Sequence, residues 1–313
     1  MADLLNGKKI GIIGVGYWGI KHLEEYQKLG VKVIAIDESL ERLQFIKDKF
    51  NCEISNNLQE ALLDKNLIGV SICTPNESHY DICKLAFYHN KNVLLEKPLT
   101  LEYEKAKTLL KIAEEKNLVL AVGHIYRFNN CINYLKNYIM NNELGEIYQI
   151  ELQWNNFEEV FENRDIIFDL GPHPLDIIDY IFDLEYDTLY SIGEKYRTNY
   201  GEELVIINGK SKNIIINIQL SWVTPVKKRE LKILTEKKYI IADAASQSIE
   251  IIDKLNVINK PMNKPEIIPN NTIQDELRHF IECINIGNIT HADGKVGAKI
   301  VKILEDLKEN LIS

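Results

Sequence analysis

The sequence is short of the features that mark secreted, membrane-spanning or nucleic-acid-binding chains. Cysteine is scarce and odd in number: Cys52, Cys73, Cys83, Cys131 and Cys283, five in all, with no CxxC pair. A disulfide framework and a structural zinc site are therefore not expected, and a reducing compartment is. No apolar run approaches the roughly 20 residues that cross a bilayer. Met1-Ala2-Asp3 leads to a strand-like segment by Lys9 without a basic stretch followed by an apolar one. No secretory signal is expected, and the expected location is the cytoplasm. Positive charge is in deficit, with 37 Lys and Arg against 46 Asp and Glu and a net charge of −9. That balance gives no electrostatic ground for a nucleic-acid or membrane partner. It is compatible with a local basic pocket for an anionic small molecule. Clusters of His, Cys and carboxylate at ligand spacing are also lacking, so no metal site is expected.

What is present is an ordinary folded composition, 45% hydrophobic and 27% charged, in a chain of 313 residues. That length exceeds what one core usually spans, so two domains are expected. Over residues 1–123, apolar runs at 9–14, 32–37, 68–74, 92–96 and 118–123 alternate with amphipathic stretches at 17–29, 40–50, 58–63, 78–89 and 101–116. The runs are apolar on consecutive residues, as strands covered on both faces are. Strand–helix alternation of this kind predicts an α/β domain with a doubly wound parallel sheet. Beyond residue 123 the rhythm changes. Helices are predicted at 128–140 and 172–182, and strands at 146–155, 188–198, 203–208, 213–222, 230–235 and 238–242. Alternation such as Ile216-Asn217-Ile218-Gln219-Leu220 predicts a mainly antiparallel sheet with one exposed face. A Pro/Asn-rich loop at 260–269 precedes two closing helices at 273–286 and 295–311. The expected domains are 1–123 and 124–313.

The first strand runs into Gly14-Val15-Gly16-Tyr17-Trp18-Gly19, a GxGxxG between strand and helix. Gly14 permits the tight turn, Gly16 lets the backbone approach a pyrophosphate, and Gly19 lets the helix pack on the strand. The helix N-terminus then presents unpaired N–H groups to phosphates. The second strand ends in Asp37, about 20 residues on, where a carboxylate binds a ribose hydroxyl. The bland readings are a glycine turn without ligand and a helix cap at Asp37, a role Ser39 fills equally well. Strand, glycines, helix and carboxylate together favour a dinucleotide-binding Rossmann domain. Asp37 beside a 2′-phosphate would be a like-charge contact costing on the order of several kcal/mol. NAD is therefore expected over NADP, with Arg42 on the next helix able to soften the preference.

Further segments are Thr74-Pro75-Asn76 and Glu96-Lys97-Pro98 at strand ends, and Asp169-Leu170-Gly171-Pro172-His173-Pro174-Leu175-Asp176. Val122-Gly123-His124 with Arg127-Phe128, and Ala292-Asp293-Gly294, add to them. With the glycine motif, they resemble the Gfo/Idh/MocA family of sugar and cyclitol oxidoreductases nearly end to end. The resemblance implies a Rossmann domain followed by an α/β domain with a large open sheet. One face of that sheet receives substrate, and the other pairs subunits into a homodimer or homotetramer.

It also implies hydride transfer between a carbinol carbon and the nicotinamide of NAD. Lys97, His173 and Asp169 match the family's catalytic positions. His173 is the expected acid/base, Lys97 the polarising cation and Asp169 the orienting carboxylate; the residues leave an exchange of roles between Lys97 and His173 open. Gly14, Gly16, Tyr17, Trp18, Gly19, Asp37, Thr74, Pro75, Asn76, His79, Glu96 and Lys97 are the expected cofactor residues. His124, Arg127, Arg164, Asp169 and His173 are the expected substrate residues. On position alone, Lys97 is equally a solvated loop residue, His173 a helix-start histidine, Asp169 a helix cap, and each arginine half of a surface ion pair.

The segment Asn163-Arg164-Asp165-Ile166-Ile167-Phe168 departs from the common family form. With Tyr17-Trp18 it resembles the branch associated with nucleotide sugars. The expected reaction is oxidation at C3 of UDP-N-acetylglucosamine, in glycan biosynthesis, with Arg127 and Arg164 as pyrophosphate or uronate contacts. The alternatives are a dehydrogenase or ketoreductase acting on a free sugar or inositol, and a non-catalytic dinucleotide-binding regulator.

Overall fold

The computed structural model describes residues 5, 7–141, 144–162, 164–254, 262–287 and 291–312. The chain divides into two compact units, Met1–Ile125 with Asn271–Lys302, and Tyr126–Asn270 with Ile303–Ser313. The first unit opens with β1 (Lys9–Ile13), α1 (Tyr17–Lys28), β2 (Lys32–Ile36), α2 (Leu40–Phe50), β3 (Glu53–Ser55) and α3 (Leu58–Leu62). It continues with β4 (Leu67–Ile72), α4 (His79–Tyr88), β5 (Asn92–Leu95), α5 (Tyr103–Lys116) and β6 (Leu120–Val122). The strands are parallel in the order β3-β2-β1-β4-β5-β6, the doubly wound order of a dinucleotide-binding sheet.

The consecutive apolar residues have a direct structural cause. Along β1, β2 and β5, neighbouring side chains enter opposite cores. Ile12, Ala35 and Leu94 join Leu23 and Tyr26 of α1 on one side. Ile13, Ile36 and Leu95 join Ala106 and Leu109 of α5 on the other. Each isoleucine or leucine among them contributes about 1.5–3 kcal/mol when fully buried. Helix starts follow local chemistry: Ser39 caps α2 by accepting from Arg42 N, and Asn57 caps α3 by accepting from Glu60 N. β3 was not expected from the pattern. It has three residues, none buried, and among the described residues pairs only with β2 at the sheet edge.

The second unit contains α6 (Asn130–Asn141), β7 (Ile147–Phe157), α7 (Ile166–Leu170), α8 (Pro172–Phe182), β8 (Thr188–Glu194), β9 (Leu204–Ser211) and β10 (Ile214–Ser221). β11 (Val223–Thr235), β12 (Lys238–Asp243), β13 (Ser248–Asp253) and β14 (Met262–Asn263) follow. With β15 (Leu311–Ile312), nine strands among the described residues form one sheet in the order β14-β13-β12-β11-β7-β10-β9-β8-β15. Pairing is mainly antiparallel, with β7 parallel to β10 and β15 parallel to β8. Ile150, Leu152, Trp154, Ile216, Ile218 and Ile233 are buried on one face. The other carries polar ladders, among them Gln149 Nε2 to Asn217 Oδ1 at 2.8 Å and Lys232 Nζ to Glu151 Oε1 at 3.0 Å. The segment expected to be a loop at 260–269 begins with two residues outside the described ones; Met262–Asn263 pairs with β13.

The closing segment differs from the expected domain boundaries. α9 (Thr272–Ile286) sends Leu277, Phe280 and Ile281 into the core that holds Leu23 and Tyr26. Ala298 and Val301 of α10 (Gly294–Glu309) enter the other. The apolar stripe of a helix states that it packs, but not on which sheet.

Candidate functional site

In the first unit, a cavity of about 620 Å³ opens where β1 meets α1, lined by Gly14, Gly16, Tyr17, Trp18, Asp37 and Thr74 among others. Gly14 has φ +84°, and a Cβ there would lie 2.9 Å from the Cys73 carbonyl oxygen. At Gly19 a Cβ would lie 2.0 Å from the Gly14 oxygen, so only glycine lets α1 approach the turn this closely. At Gly16 it would meet nothing within 4 Å. α1 begins there with no side-chain cap, leaving first-turn N–H groups for an anion. Asp37 Oδ2 accepts from Val15 N at 2.9 Å, and Oδ1 from Ser39 N at 3.0 Å. Arg42 Nη1 reaches both oxygens, at 3.3 and 3.1 Å. The helix cap is Ser39, and Asp37 instead ties the glycine turn to β2. Open backbone at one end and a carboxylate at the other fit a dinucleotide.

Cys73 also lines this cavity, and beside it lies the loop that bears Lys97. Glu96, 7% exposed, accepts from His22 Nε2 at 3.0 Å and from Lys97 N at 3.3 Å. Burial pushes this carboxyl up, but the hydrogen bond to His22, together with the charge and the backbone N–H of Lys97, outweighs it and holds the group below its ordinary value. His79 is fully buried, with Nδ1 2.8 Å from the Pro98 oxygen and Nε2 3.0 Å from the Thr74 oxygen. Burial pushes the imidazole down more strongly than these carbonyls raise it.

In the second unit, His173 lies against two aromatic rings. Tyr126 is 5.2 Å away edge-on, and Trp154 5.7 Å away at a tilt of 33°. Asp169, on α7, accepts from Arg164 Nη2 at 2.5 Å. The Arg164 guanidinium lies 4.1 Å from the Phe161 ring centre and 5.6 Å from that of Trp222. Arg229 sits 5.1 Å from the Trp154 ring centre and donates to the Asn155 and Lys228 oxygens. Trp154 Nε1 and Trp222 Nε1 are buried without an acceptor among the described residues.

Residues 8–124 match the model of the oxidoreductase family with an NAD-binding Rossmann fold, and residues 132–241 that of the GFO/IDH/MocA C-terminal domain. The chain belongs to the Gfo/Idh/MocA family. It is 24% identical over 299 residues to UDP-N-acetylglucosamine 3-dehydrogenase of Acidithiobacillus ferrooxidans, covering 94% of each chain. It is 25% identical over 301 residues to glucose-6-phosphate 3-dehydrogenase of Bacillus subtilis, covering 87% of this chain and 83% of that one. The solved structure of the Acidithiobacillus enzyme superposes with a TM-score of 0.86 at 23% identity, covering 97% of each chain. The protein is thus an oxidoreductase of a family whose members act on sugars and polyols.

The sequence-expected residues of this family member fall into distinct environments. Gly14, Gly16, Tyr17, Trp18, Asp37, Thr74 and Pro75 line this cavity; Asn76, His79, Glu96 and Lys97 are not among its lining residues. His79 and Glu96 are buried, and both are bonded to the loop that bears Lys97 or to its neighbours. His124 is 2% exposed. Arg127 is 7% exposed and held at 2.7 Å by both Asp176 and Asp179; its charge is matched inside the second unit, which argues against a phosphate contact. Arg164 remains 41% exposed. His22, Cys73, Trp154, Trp222 and Arg229 were not singled out. Their partners lie on other elements, and no local motif marks them.

Proposed function

We propose that this oxidoreductase uses NAD to oxidise a sugar hydroxyl to a ketone, at C3 of a UDP-sugar such as UDP-N-acetylglucosamine. One observation carries the reading. The two residues that flank Lys97 are each held by a buried histidine, Glu96 by His22 and Pro98 by His79, at the carboxyl edge of the sheet, where open α/β sheets place their chemistry. Gly14, Gly16, Tyr17, Trp18 and Asp37 would hold the NAD, which supplies the hydride acceptor. Breaking the carbinol C–H bond is helped by removing the hydroxyl proton and by a cation near the oxygen as charge develops. His173 takes that proton in this reading, and Lys97 polarises the oxygen. Asp169 holds Arg164, whose exposed guanidinium suits diphosphate oxygens. The substrate assignment draws support from similarity along 94% of the chain to a UDP-N-acetylglucosamine 3-dehydrogenase. A second relative, acting on a different sugar, is also a 3-dehydrogenase, which supports the choice of carbon.

A second reading has its own observation. Arg127 is matched by Asp176 and Asp179, and Arg164 by Asp169. With both phosphate candidates already paired, an uncharged sugar or inositol is favoured. Incubating the protein and NAD with a panel of UDP-sugars, sugar phosphates, free sugars and inositols, and following absorbance of NADH, separates the two. The first reading expects turnover with UDP-N-acetylglucosamine and a product ketone at C3. Turnover confined to free sugars or inositols removes it.

A further inference from the structure

His22 has no role in the sequence reading, yet it occupies a costly position. It projects from α1 three residues after Gly19 and is 1% exposed. Its Nε2 lies 3.0 Å from Glu96 Oε1, and its Nδ1 3.6 Å from Cys73 Sγ. The protons can be placed from chemistry. An ionised carboxylate only accepts, so Nε2 carries the hydrogen. Burial pushes the Cys73 thiol well up, so it stays S–H and donates to Nδ1. The second carboxylate oxygen accepts from the backbone N–H of Lys97 at 3.3 Å. Gly123 leaves the space for this oxygen, since a Cβ there would lie 2.9 Å from Glu96 Oε2. A buried imidazole–carboxylate pair is rarely a better source of stability than apolar side chains of the same volume. Such a pair placed directly before Lys97 has a more specific use.

We propose that His22 is a positioning residue for Lys97. It fixes the Glu96 carboxylate, and Glu96 fixes the backbone from which the lysine side chain projects. α1 also carries the phosphate-facing turn, so one rigid helix sets both the nucleotide end and the lysine. The inference rests on the role given to Lys97 in the dehydrogenase reading.

The test compares His22→Ala, which removes the donor, with His22→Gln, whose side-chain amide reaches about as far as Nε2. Three quantities are measured: NAD affinity by fluorescence titration, kcat and KM with the substrate found by the panel, and the labelling rate of Lys97. Labelling uses pyridoxal 5′-phosphate and borohydride with peptide mapping, normalised to exposed Lys111. His22→Ala is expected to lower kcat by on the order of a hundredfold, with KM and NAD affinity changed only a few-fold and Lys97 labelling altered several-fold. His22→Gln is expected to recover most of both. Normal kcat and labelling in His22→Ala overturn the proposal. So does a Gln variant as impaired as Ala, or a kcat loss that merely follows lost NAD binding. Should His22→Ala fail to fold, Glu96→Gln, which keeps the shape and removes the charge, is judged by the same outcomes. A wild-type protein inactive on every alcohol defeats the dehydrogenase reading instead, and Lys97 labelling alone then decides the positioning claim.

Discussion

Asp37 and Arg42 form an ion pair that lines the cavity at the glycine turn, and in the dinucleotide reading their balance would set its ribose end. The carboxylate already accepts two backbone N–H groups and the Arg42 guanidinium, and Arg42 is half exposed. The carboxylate opposes a 2′-phosphate, and the guanidinium beside it lessens that opposition. Asp37→Ala is expected to lower the ratio of kcat/KM for NAD over NADP by on the order of a hundredfold, about 2.7 kcal/mol. Arg42→Ala should raise the same ratio. Steady-state kinetics with both cofactors checks this, and an unchanged ratio in Asp37→Ala refutes it.

His79 supplies a second test at this scale. Its folded-state pKa lies below its ordinary value, burial being the main cause, so the unfolded chain binds more protons at mildly acid pH. Stability is therefore full above the unfolded value of about 6.5 and falls as pH drops from there toward the folded value. His279 is shifted in the same direction by burial and by His291. The His79 share is thus the difference in slope between wild type and His79→Gln, measured by urea unfolding from neutral pH downward. Identical slopes contradict it.

At the scale of elements, α9 is a separate segment of chain that completes a core begun some 250 residues earlier. Phe280 is 1% exposed and shares that core with Leu23, Tyr26 and Ile12. Phe280→Ala is expected to destabilise the first unit by about 3–5 kcal/mol. Chemical denaturation followed through NAD binding measures this; a loss below about 1 kcal/mol, within the range of ordinary surface changes, contradicts the packing assigned to α9.

Strand and helix of β1–α1, the three glycines and Asp37 were legible because their geometry is local and each glycine has its own mechanical reason. β3 was not legible, because three partly exposed residues carry no hydrophobic pattern. His22 pairs with Glu96 across a separation of 74 residues, and Arg127 with Asp176 across 49. No periodicity reports such pairings. Arg127 reads as a phosphate ligand in sequence and as a buried ion pair in the fold for that reason.

Across the whole molecule, the open face of the nine-stranded sheet bears on assembly. Tyr190, Ile192 and Ile215 expose 44–46% of their surface on that face, beside the polar ladder of Gln149 and Asn217. Apolar side chains grouped on a sheet face suit a second copy of the chain. A homodimer or homotetramer is expected by sedimentation, with Ile192→Glu shifted toward monomer. A wild-type protein monomeric at every concentration argues against this use of the face.

No helix among the described residues is long and apolar enough to cross a membrane. The most direct measurement pairs NAD titration calorimetry with single-turnover oxidation of the panel's substrate in Lys97→Ala. The account predicts NAD affinity within a few-fold of wild type and turnover reduced by on the order of 10²–10⁴. Undiminished turnover in that variant would contradict it.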